Sequence, residues 1–233
     1  MQLFRIVPSR IIENFFDEEE VEFLKSIPEK YPEFNHAYYG SERGNDNTVL
    51  ERKIFAFNED PNQIPDLYKS VNIIKNKVKK HFGETIVMGQ AQILTAYYPY
   101  GIHTDAVYGE YGIDENHYGA WTLIIPLDDY NSSTVLFNEH SKNSKFLSDY
   151  VENNPVIDTI SDEFYNYYLN HTEYRHGVRH ISLEKVFDWK TNVCFAASRY
   201  KFHTSDNFPA HGVKYKQAVI VWTALPNDFQ NYF

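Results

Sequence analysis

Two histidines and one aspartate are the side chains with the clearest potential for chemistry. His103 and Asp105 are separated by one residue, and His203 lies far along the chain. On an extended strand, residues i and i+2 point to the same side, so His103 and Asp105 can chelate one ion. Two imidazoles and a carboxylate on one face of a metal leave the opposite positions open, which suits non-haem Fe(II) that must also bind a co-substrate and dioxygen. Because a His-x-Asp tripeptide is common by chance, this prediction depends on a third ligand.

The chain from residue 86 onward, which contains these three residues, is predicted to consist mainly of β-strands. Its apolar runs are short, rich in β-formers and separated by turn residues. These runs cover residues 86–98, 120–127, 133–137, 192–197 and 217–224.

The N-terminal part is expected to be mainly helical. Acidic residues 17–20 precede an apolar pattern that Pro28 and Pro32 should end, and a second helix is predicted over 65–82 and stopped by Gly83. Strands are predicted for 10–16 and near 53–57, within an otherwise loop-rich stretch.

This order of elements predicts a mainly β protein with flanking helices and a single domain, 1–233. A helical buttress is expected over about 1–85 and a β core over about 86–225. A polar, aromatic segment, about 138–188, is expected to be an insertion between core strands.

Composition limits the classes of partner. A formal net charge of -10 argues against non-specific binding of nucleic acid, which requires a basic face. The single cysteine, Cys194, excludes an internal disulfide and fits a reducing compartment; its apolar neighbours predict a core residue. No stretch resembles a signal peptide or a membrane span, so we expect a soluble, cytoplasmic protein without a membrane partner. The oligomeric state is left open.

Three motifs carry a resemblance to a known family. They are residues 97–105, residues 121–127, and residues 203–208 leading to Lys216. In these motifs and their order the chain resembles the Fe(II)/2-oxoglutarate-dependent oxygenases, particularly the prolyl-hydroxylase-like branch of bacteria and phages. The resemblance implies a double-stranded β-helix (jelly-roll, cupin-like) core, with Fe(II), 2-oxoglutarate as co-substrate, and dioxygen.

The resemblance makes His103, Asp105 and His203 the metal ligands, and several other histidines are rivals to His203. His211 is too close to Lys216 for the family's usual separation. The others are expected to be solvated or locally hydrogen-bonded, namely His117, His140, His171, His176 and His180.

The resemblance also predicts a buried cation that pairs with the far carboxylate of 2-oxoglutarate. Lys216, 13 residues after His203 (216 minus 203), is the preferred anchor, and Lys214 on the same strand face is the alternative. Gln92 and Tyr98, on the strand that enters the His-x-Asp loop, and Thr122 are expected to contact the co-substrate. Thr122 and Ile124 should point inward on a facing strand, and Arg199 is a candidate contact for a substrate or co-substrate carboxylate.

Two details refine the expected chemistry. Asn131-Ser132-Ser133 stands where a Gly-Gly pair is frequent in the family, which we interpret as a change of turn that leaves the ligands intact. Related halogenases replace the carboxylate ligand with a small residue, so the presence of Asp105 favours hydroxylation, or another oxidation that begins with hydrogen abstraction, over halogenation.

The implied function is hydroxylation of a C–H bond, with release of succinate and carbon dioxide. The substrate is an unidentified amino acid, peptide or protein side chain, or small metabolite, and residues 107–118 and the insertion are expected to form its walls. Two alternatives remain: a non-catalytic cupin- or lectin-like module that binds a metal or ligand, and a structural jelly roll.

Overall fold

Two antiparallel β-sheets dominate the computed structural model, which describes residues 8–39, 50–57, 64–105, 121–141, 146–172 and 175–224. The strands are β1 (Arg10–Ile12), β2 (Asn35–Tyr39), β3 (Leu50–Ala56), β4 (Val87–Ala96), β5 (Trp121–Pro126), β6 (Ser133–His140), β7 (Leu183–Asp188), β8 (Cys194–Ser198), β9 (Lys201–Ser205) and β10 (Lys216–Ala224). The large sheet has the order β1-β8-β5-β10-β4-β3-β2, and the small sheet has the order β7-β6-β9.

Helices α1 (Glu18–Lys30) and α2 (Pro65–Phe82) pack on the outer face of the large sheet, where apolar residues of both helices and of β4, β5, β8 and β10 form one cluster. A capping box between Asp17 and Glu20 begins α1, and Gly83, at φ 95°, follows α2. The bounds of α2 confirm the prediction. α1 ends at Lys30, between the two prolines that were predicted to mark its end, and Pro28 lies in its last turn.

A second apolar cluster fills the space between the two sheets. It combines β5, β8 and β10 from the large sheet with β6 and β7 from the small one, through residues such as Ile124, Ala218, Leu136 and Phe187. Side chains alternate along a strand, so residues two positions before and after each of these cluster residues face the same interior. This interior is where a ligand pocket can form between the sheets.

The segment between β6 and β7 packs on the outer side of the small sheet. It contains the short helices α3 (Leu147–Val151), α4 (Asp162–Phe164) and α5 (Arg175–Val178), and a π-helical turn, Tyr165–Leu169. Its apolar residues form a third cluster with Val135, Phe137 and Phe202. The expected insertion, 138–188, was too long at both ends, because β6 extends to His140 and β7 is a strand of the small sheet.

The mainly β class with flanking helices is confirmed, but three strand predictions need correction. β2 lies in a stretch predicted as loop, β9 was not predicted, and β1 is shorter than 10–16 because Phe15 and Phe16 turn into the core. The N-terminal part therefore adds three strands to the large sheet as well as two helices. Among the described helices, none combines the length and the apolar character that crossing a membrane requires.

Candidate metal centre

The structure brings His103, Asp105 and His203 together. His103 forms an antiparallel bridge with His203 of β9, so a short extended segment adds a further strand position to the small sheet. The Nε2 of His103 lies 3.7 Å from Asp105 Oδ1, and the Nε2 of His203 lies 3.4 Å from Asp105 Oδ2. One donor atom from each residue lies within 4.8 Å of the other two. Ligands at right angles around an ion, with bonds of 2.0–2.2 Å, are about 3 Å apart, so a small contraction would complete a site.

The backbone fixes the tautomer of both imidazoles. The Nδ1 of His103 lies 2.7 Å from the carbonyl of Gly101, and the Nδ1 of His203 lies 3.1 Å from the carbonyl of Lys201. A carbonyl only accepts, so Nδ1 is the donor in each ring, and in the neutral ring Nε2 carries a lone pair. Both lone pairs are directed towards Asp105. This orientation of histidine by an outer hydrogen bond is the arrangement found around protein-bound metals, so the residues present fit a metal ion.

The Asp105 carboxylate is held in its ionised form. Burial opposes its ionisation, but the positive field of His203 and His103, the Thr122 hydroxyl and Arg199 together lower the pKa of Asp105 to about 2. The Thr122 hydroxyl donates to Oδ2 at 2.6 Å. An ionised carboxylate beside two imidazoles that present Nε2 is a hard, anionic ligand set for a divalent cation.

Thr122 and Arg199 have contacts other than those expected. We predicted that they would face the co-substrate or a substrate carboxylate. In the structure the Thr122 hydroxyl binds the Asp105 carboxylate, and the Arg199 guanidinium donates to the Asp105 carbonyl at 3.0 Å. The Asp105 amide in turn donates to the Arg199 carbonyl at 2.9 Å. Both residues therefore support a predicted metal ligand.

Lys216 lies deep between the sheets, with 2% of its surface exposed. Its ammonium donates to the Ser132 hydroxyl at 2.8 Å and lies 3.7 Å from the ring centroid of Trp189. Ser132 donates to the buried carboxylate of Asp206 at 2.7 Å. Burial lowers the pKa of Lys216 to about 7, although Asp206 acts in the opposite direction. Lys216 is thus a buried cation without a directly bonded anion among the described residues.

The remaining predicted contacts divide between the interior and the surface. Gln92 is buried and lies opposite Ile220, and Ile124 belongs to the inner cluster. Tyr98 is 40% exposed, Lys214 is exposed, and both line an open depression of about 530 Å³ on the surface.

The other histidines have separate environments. His211 contacts Asp206, His171 lies 3.4 Å from the Thr204 hydroxyl, and His176 and His180 contact each other. His140 ends β6. His117 and the predicted wall at 107–118 lie outside the described residues.

Sequence reasoning missed two features of this interior. The Ser132–Asp206 pair supports Lys216. Its one signal in the sequence is the Asn131-Ser132-Ser133 turn, whose predicted effect was confined to the turn itself. The indole Nε1 of Trp222 is buried and has no hydrogen-bond partner among the described residues, and Trp222 lies directly opposite Thr122. No local pattern marked this donor, because it sits in an otherwise ordinary strand.

Comparison with known proteins reveals similarity in structure only. No protein-family model and no curated protein matches the chain. The epimerase SnoN from nogalamycin biosynthesis, in complex with Fe3+, alpha ketoglutarate and nogalamycin RO, matches with a TM-score of 0.56 and 11% identity over 93% of this chain and 78% of that chain. AviO1 from Streptomyces viridochromogenes Tue57 matches with a TM-score of 0.54 and 12% identity over 96% of this chain and 92% of that chain.

A third solved structure is an oxidoreductase of the 2OG-Fe(II) oxygenase family from Burkholderia pseudomallei. It matches with a TM-score of 0.52 and 9% identity over 93% of this chain and 84% of that chain. Identities this low establish the fold alone. The chain therefore has the double-stranded β-helix fold of the 2OG-Fe(II) oxygenases, as its sequence predicted.

Proposed function

We propose that the chain is an Fe(II)- and 2-oxoglutarate-dependent dioxygenase that hydroxylates a C–H bond, with release of succinate and carbon dioxide. The observation that carries this proposal is the pair of imidazoles whose Nδ1 atoms are engaged by carbonyls and whose Nε2 atoms are directed towards an ionised Asp105. Two histidines and one carboxylate on one face are the ligand set of non-haem Fe(II) oxygenases.

In this proposal His103, Asp105 and His203 hold Fe(II) at three positions and leave the others for 2-oxoglutarate and dioxygen. Bound iron and 2-oxoglutarate supply the oxidising chemistry, whereas the protein supplies position and a pocket that excludes water. Thr122 and Arg199 keep Asp105 oriented, since one binds its carboxylate and the other its backbone carbonyl.

Lys216 is the proposed partner of the far carboxylate of 2-oxoglutarate. A buried ammonium is costly unless an anion neutralises it, and among the described residues Lys216 donates its hydrogen bond to a neutral hydroxyl. A dicarboxylate that entered the interior would supply the missing negative charge. Lys214 is exposed at the surface and is the weaker candidate. Gln92, buried on the neighbouring strand, is proposed as a further hydrogen-bonding partner.

The comparisons support an Fe(II)- and 2-oxoglutarate-dependent reaction, but they do not support hydroxylation over other outcomes of that reaction. The fold is shared with SnoN, which was solved with Fe3+ and alpha ketoglutarate, but SnoN is an epimerase. Hydroxylation is proposed because Asp105 occupies the carboxylate position and leaves no room for a halide ligand. A small-molecule substrate is proposed by analogy with the nogalamycin compound bound to SnoN, and a peptide substrate is the alternative.

The first test is anaerobic reconstitution of the full chain with Fe(II) and 2-oxoglutarate. We expect the visible metal-to-ligand charge-transfer band of a chelated keto acid, and a weaker band for Lys216→Met at limiting 2-oxoglutarate. Lys214→Met is the matched control and should retain the band. A folded, metal-loaded protein without any band would overturn the proposal in favour of a metal-binding module that uses no 2-oxoglutarate.

The second test concerns the outcome of the reaction. Candidate small molecules and peptides are screened for stimulated formation of succinate, and products are analysed by mass spectrometry with labelled dioxygen. Hydroxylation requires a product that gains one labelled oxygen atom. Consumption of 2-oxoglutarate with a product of unchanged or lower mass would instead indicate epimerisation or ring closure.

A further inference from the structure

Arg52 lies on the side of the large sheet that faces the interior. In the antiparallel register Tyr38 is opposite Arg52, Arg52 is opposite Ala96, and Ala96 is opposite Lys216. Residues directly opposite each other in antiparallel strands project from the same face. Arg52 therefore shares a face with Lys216, two strands away, which corresponds to about 10 Å.

The guanidinium of Arg52 contacts two aromatic rings. Its Cζ lies 5.1 Å from the ring centroid of Tyr38 and 4.8 Å from that of Tyr100, both within the range of cation–π contacts. The ring of Tyr100 also stands edge-on against the His103 imidazole, with centroids 4.5 Å apart and an angle of 89°. A single aromatic ring thus separates Arg52 from a predicted metal ligand.

This guanidinium has no anionic partner in the part of the chain that the structure describes. Its Nε is buried without a hydrogen-bond partner, and no described carboxylate forms an ion pair with it. The chain carries 32 acidic residues against 22 basic ones, so acids were available to pair with it. A buried donor without a partner costs stability, and it is retained here beside the candidate metal centre.

We propose that Arg52 binds a carboxylate of the primary substrate, an inference that rests on the proposed function. The cation–π contacts with Tyr38 and Tyr100 restrain the guanidinium, and its Nε–H lacks a partner among the described residues. The planar N–H fork of arginine matches a bidentate carboxylate. The residue is half-buried beside Tyr38, which is 44% exposed, so a ligand reaches Arg52 from outside. Lys216, by contrast, is enclosed and suits the co-substrate. Arg52 therefore orients an acidic substrate towards His103.

The test follows the Arg52 side chain directly. The full chain, loaded with Zn(II) and 2-oxoglutarate to keep it diamagnetic, is labelled with 15N, and the arginine Nε–H cross-peak that disappears in Arg52→Lys is assigned to Arg52. N-acetylglycine and N-acetylglycinamide differ only in a carboxylate and are the matched probes. We expect the cross-peak to shift with N-acetylglycine and to stay in place with the amide.

Two variants in β3 test whether the carboxylate binds at Arg52 itself. Arg52→Gln should weaken the binding of N-acetylglycine at least tenfold. Lys53→Gln removes a positive charge from the next residue, which projects from the opposite face, and should leave that binding unchanged. An Arg52 cross-peak that ignores the carboxylate, or that shifts equally with both probes, would overturn the proposal.

The Fe(II)–2-oxoglutarate band separates this proposal from the proposed function. At limiting 2-oxoglutarate, a retained band in Arg52→Gln together with a weakened band in Lys216→Met supports a substrate role for Arg52. The reverse pattern would assign Arg52 to the co-substrate and overturn the inference. If the wild-type chain gave no band at all, the proposed function would fail, whereas the probe titration of the metal-free chain would still show whether Arg52 binds carboxylates.

Discussion

His103 and His203 form a directly opposed antiparallel pair in which each backbone N–H donates to the carbonyl of the other, at 3.1 and 2.9 Å. Their ring centroids are 4.5 Å apart, and the Nδ1 of each ring is held by a backbone carbonyl. The two imidazoles are therefore preorganised, and the metal has little ordering to do when it binds.

The first prediction is that His103→Ala and His203→Ala each abolish stoichiometric binding of Fe(II) without unfolding the chain. The backbone pair needs no side chain, so the strand contact survives both changes. Isothermal titration under anaerobic conditions measures the binding, and far-ultraviolet circular dichroism verifies the fold. His176→Ala, in the segment outside the small sheet, is the control. Full binding by either ligand variant would refute the assignment.

The second prediction concerns Thr122, whose hydroxyl donates to Asp105 Oδ2. Thr122→Val keeps the shape of the side chain and removes this hydrogen bond, so the carboxylate loses its orientation. Outer hydrogen bonds of this kind contribute about 10–100-fold to metal affinity, and we expect a loss in that range. Thr122→Ser restores the hydroxyl and should recover most of the affinity. Equal affinity for the serine and valine variants would contradict this role.

The local part of the site could be predicted, whereas the pairing of distant segments could not. His103 and Asp105 are two residues apart, so strand geometry alone places them together. His203 was predicted through a family resemblance, because its strand, β9, has the sequence KFHTS and no clear apolar alternation. Its buried side chains are partly polar and face ligands or hydrogen-bond partners. A search for alternating apolar residues therefore does not detect this strand.

The surroundings of Lys216 show a second limit. Ser132 and Asp206 are separated by 74 positions, and each reads locally as part of a polar turn. Only the tertiary fold reveals that they form a buried chain of hydrogen bonds to Lys216. The long helix α2, by contrast, was predicted to the residue, because its apolar stripe, its initial proline and Gly83 are all local signals.

The third prediction uses Cys194, the single cysteine of the chain. It is fully buried, and burial raises the pKa of its thiol far above the ordinary value. Since the thiolate is the reactive form, iodoacetamide should leave the native protein unmodified at pH 8 and modify it stoichiometrically in denaturant. Mass spectrometry of the intact chain measures both states. Rapid modification of the native protein would contradict the packing of β8.

The fourth prediction links Lys216 to stability. Its pKa is lowered by burial to about 7, from 10.5. Between these values the unfolded chain binds more protons than the folded chain, so the free energy of unfolding should rise with pH from about 7 to about 10.5, and this group adds nothing to the slope below about 7. The contribution is at most about 1.4 kcal/mol per pH unit.

Urea denaturation of the wild type and of Lys216→Met at several pH values measures this contribution as a difference in slope. The variant should also be the more stable protein at pH 6, because methionine avoids the cost of burying a charge. Parallel profiles, or a variant that is less stable at pH 6, would show that Lys216 is a structural cation instead.

The fifth prediction is that affinity for 2-oxoglutarate falls with rising pH because of the same lysine. In the free protein Lys216 loses its proton above about pH 7, whereas pairing with the carboxylate of the co-substrate requires the proton. Binding must therefore be accompanied by proton uptake, and the dissociation constant should increase by up to about tenfold per pH unit between pH 7 and 9. Titrations of the charge-transfer band under anaerobic conditions give this constant. Arginine at position 216 stays protonated throughout this range, so the dissociation constant of Lys216→Arg should be nearly independent of pH. A wild-type dissociation constant that is also independent of pH would mean that another residue anchors 2-oxoglutarate.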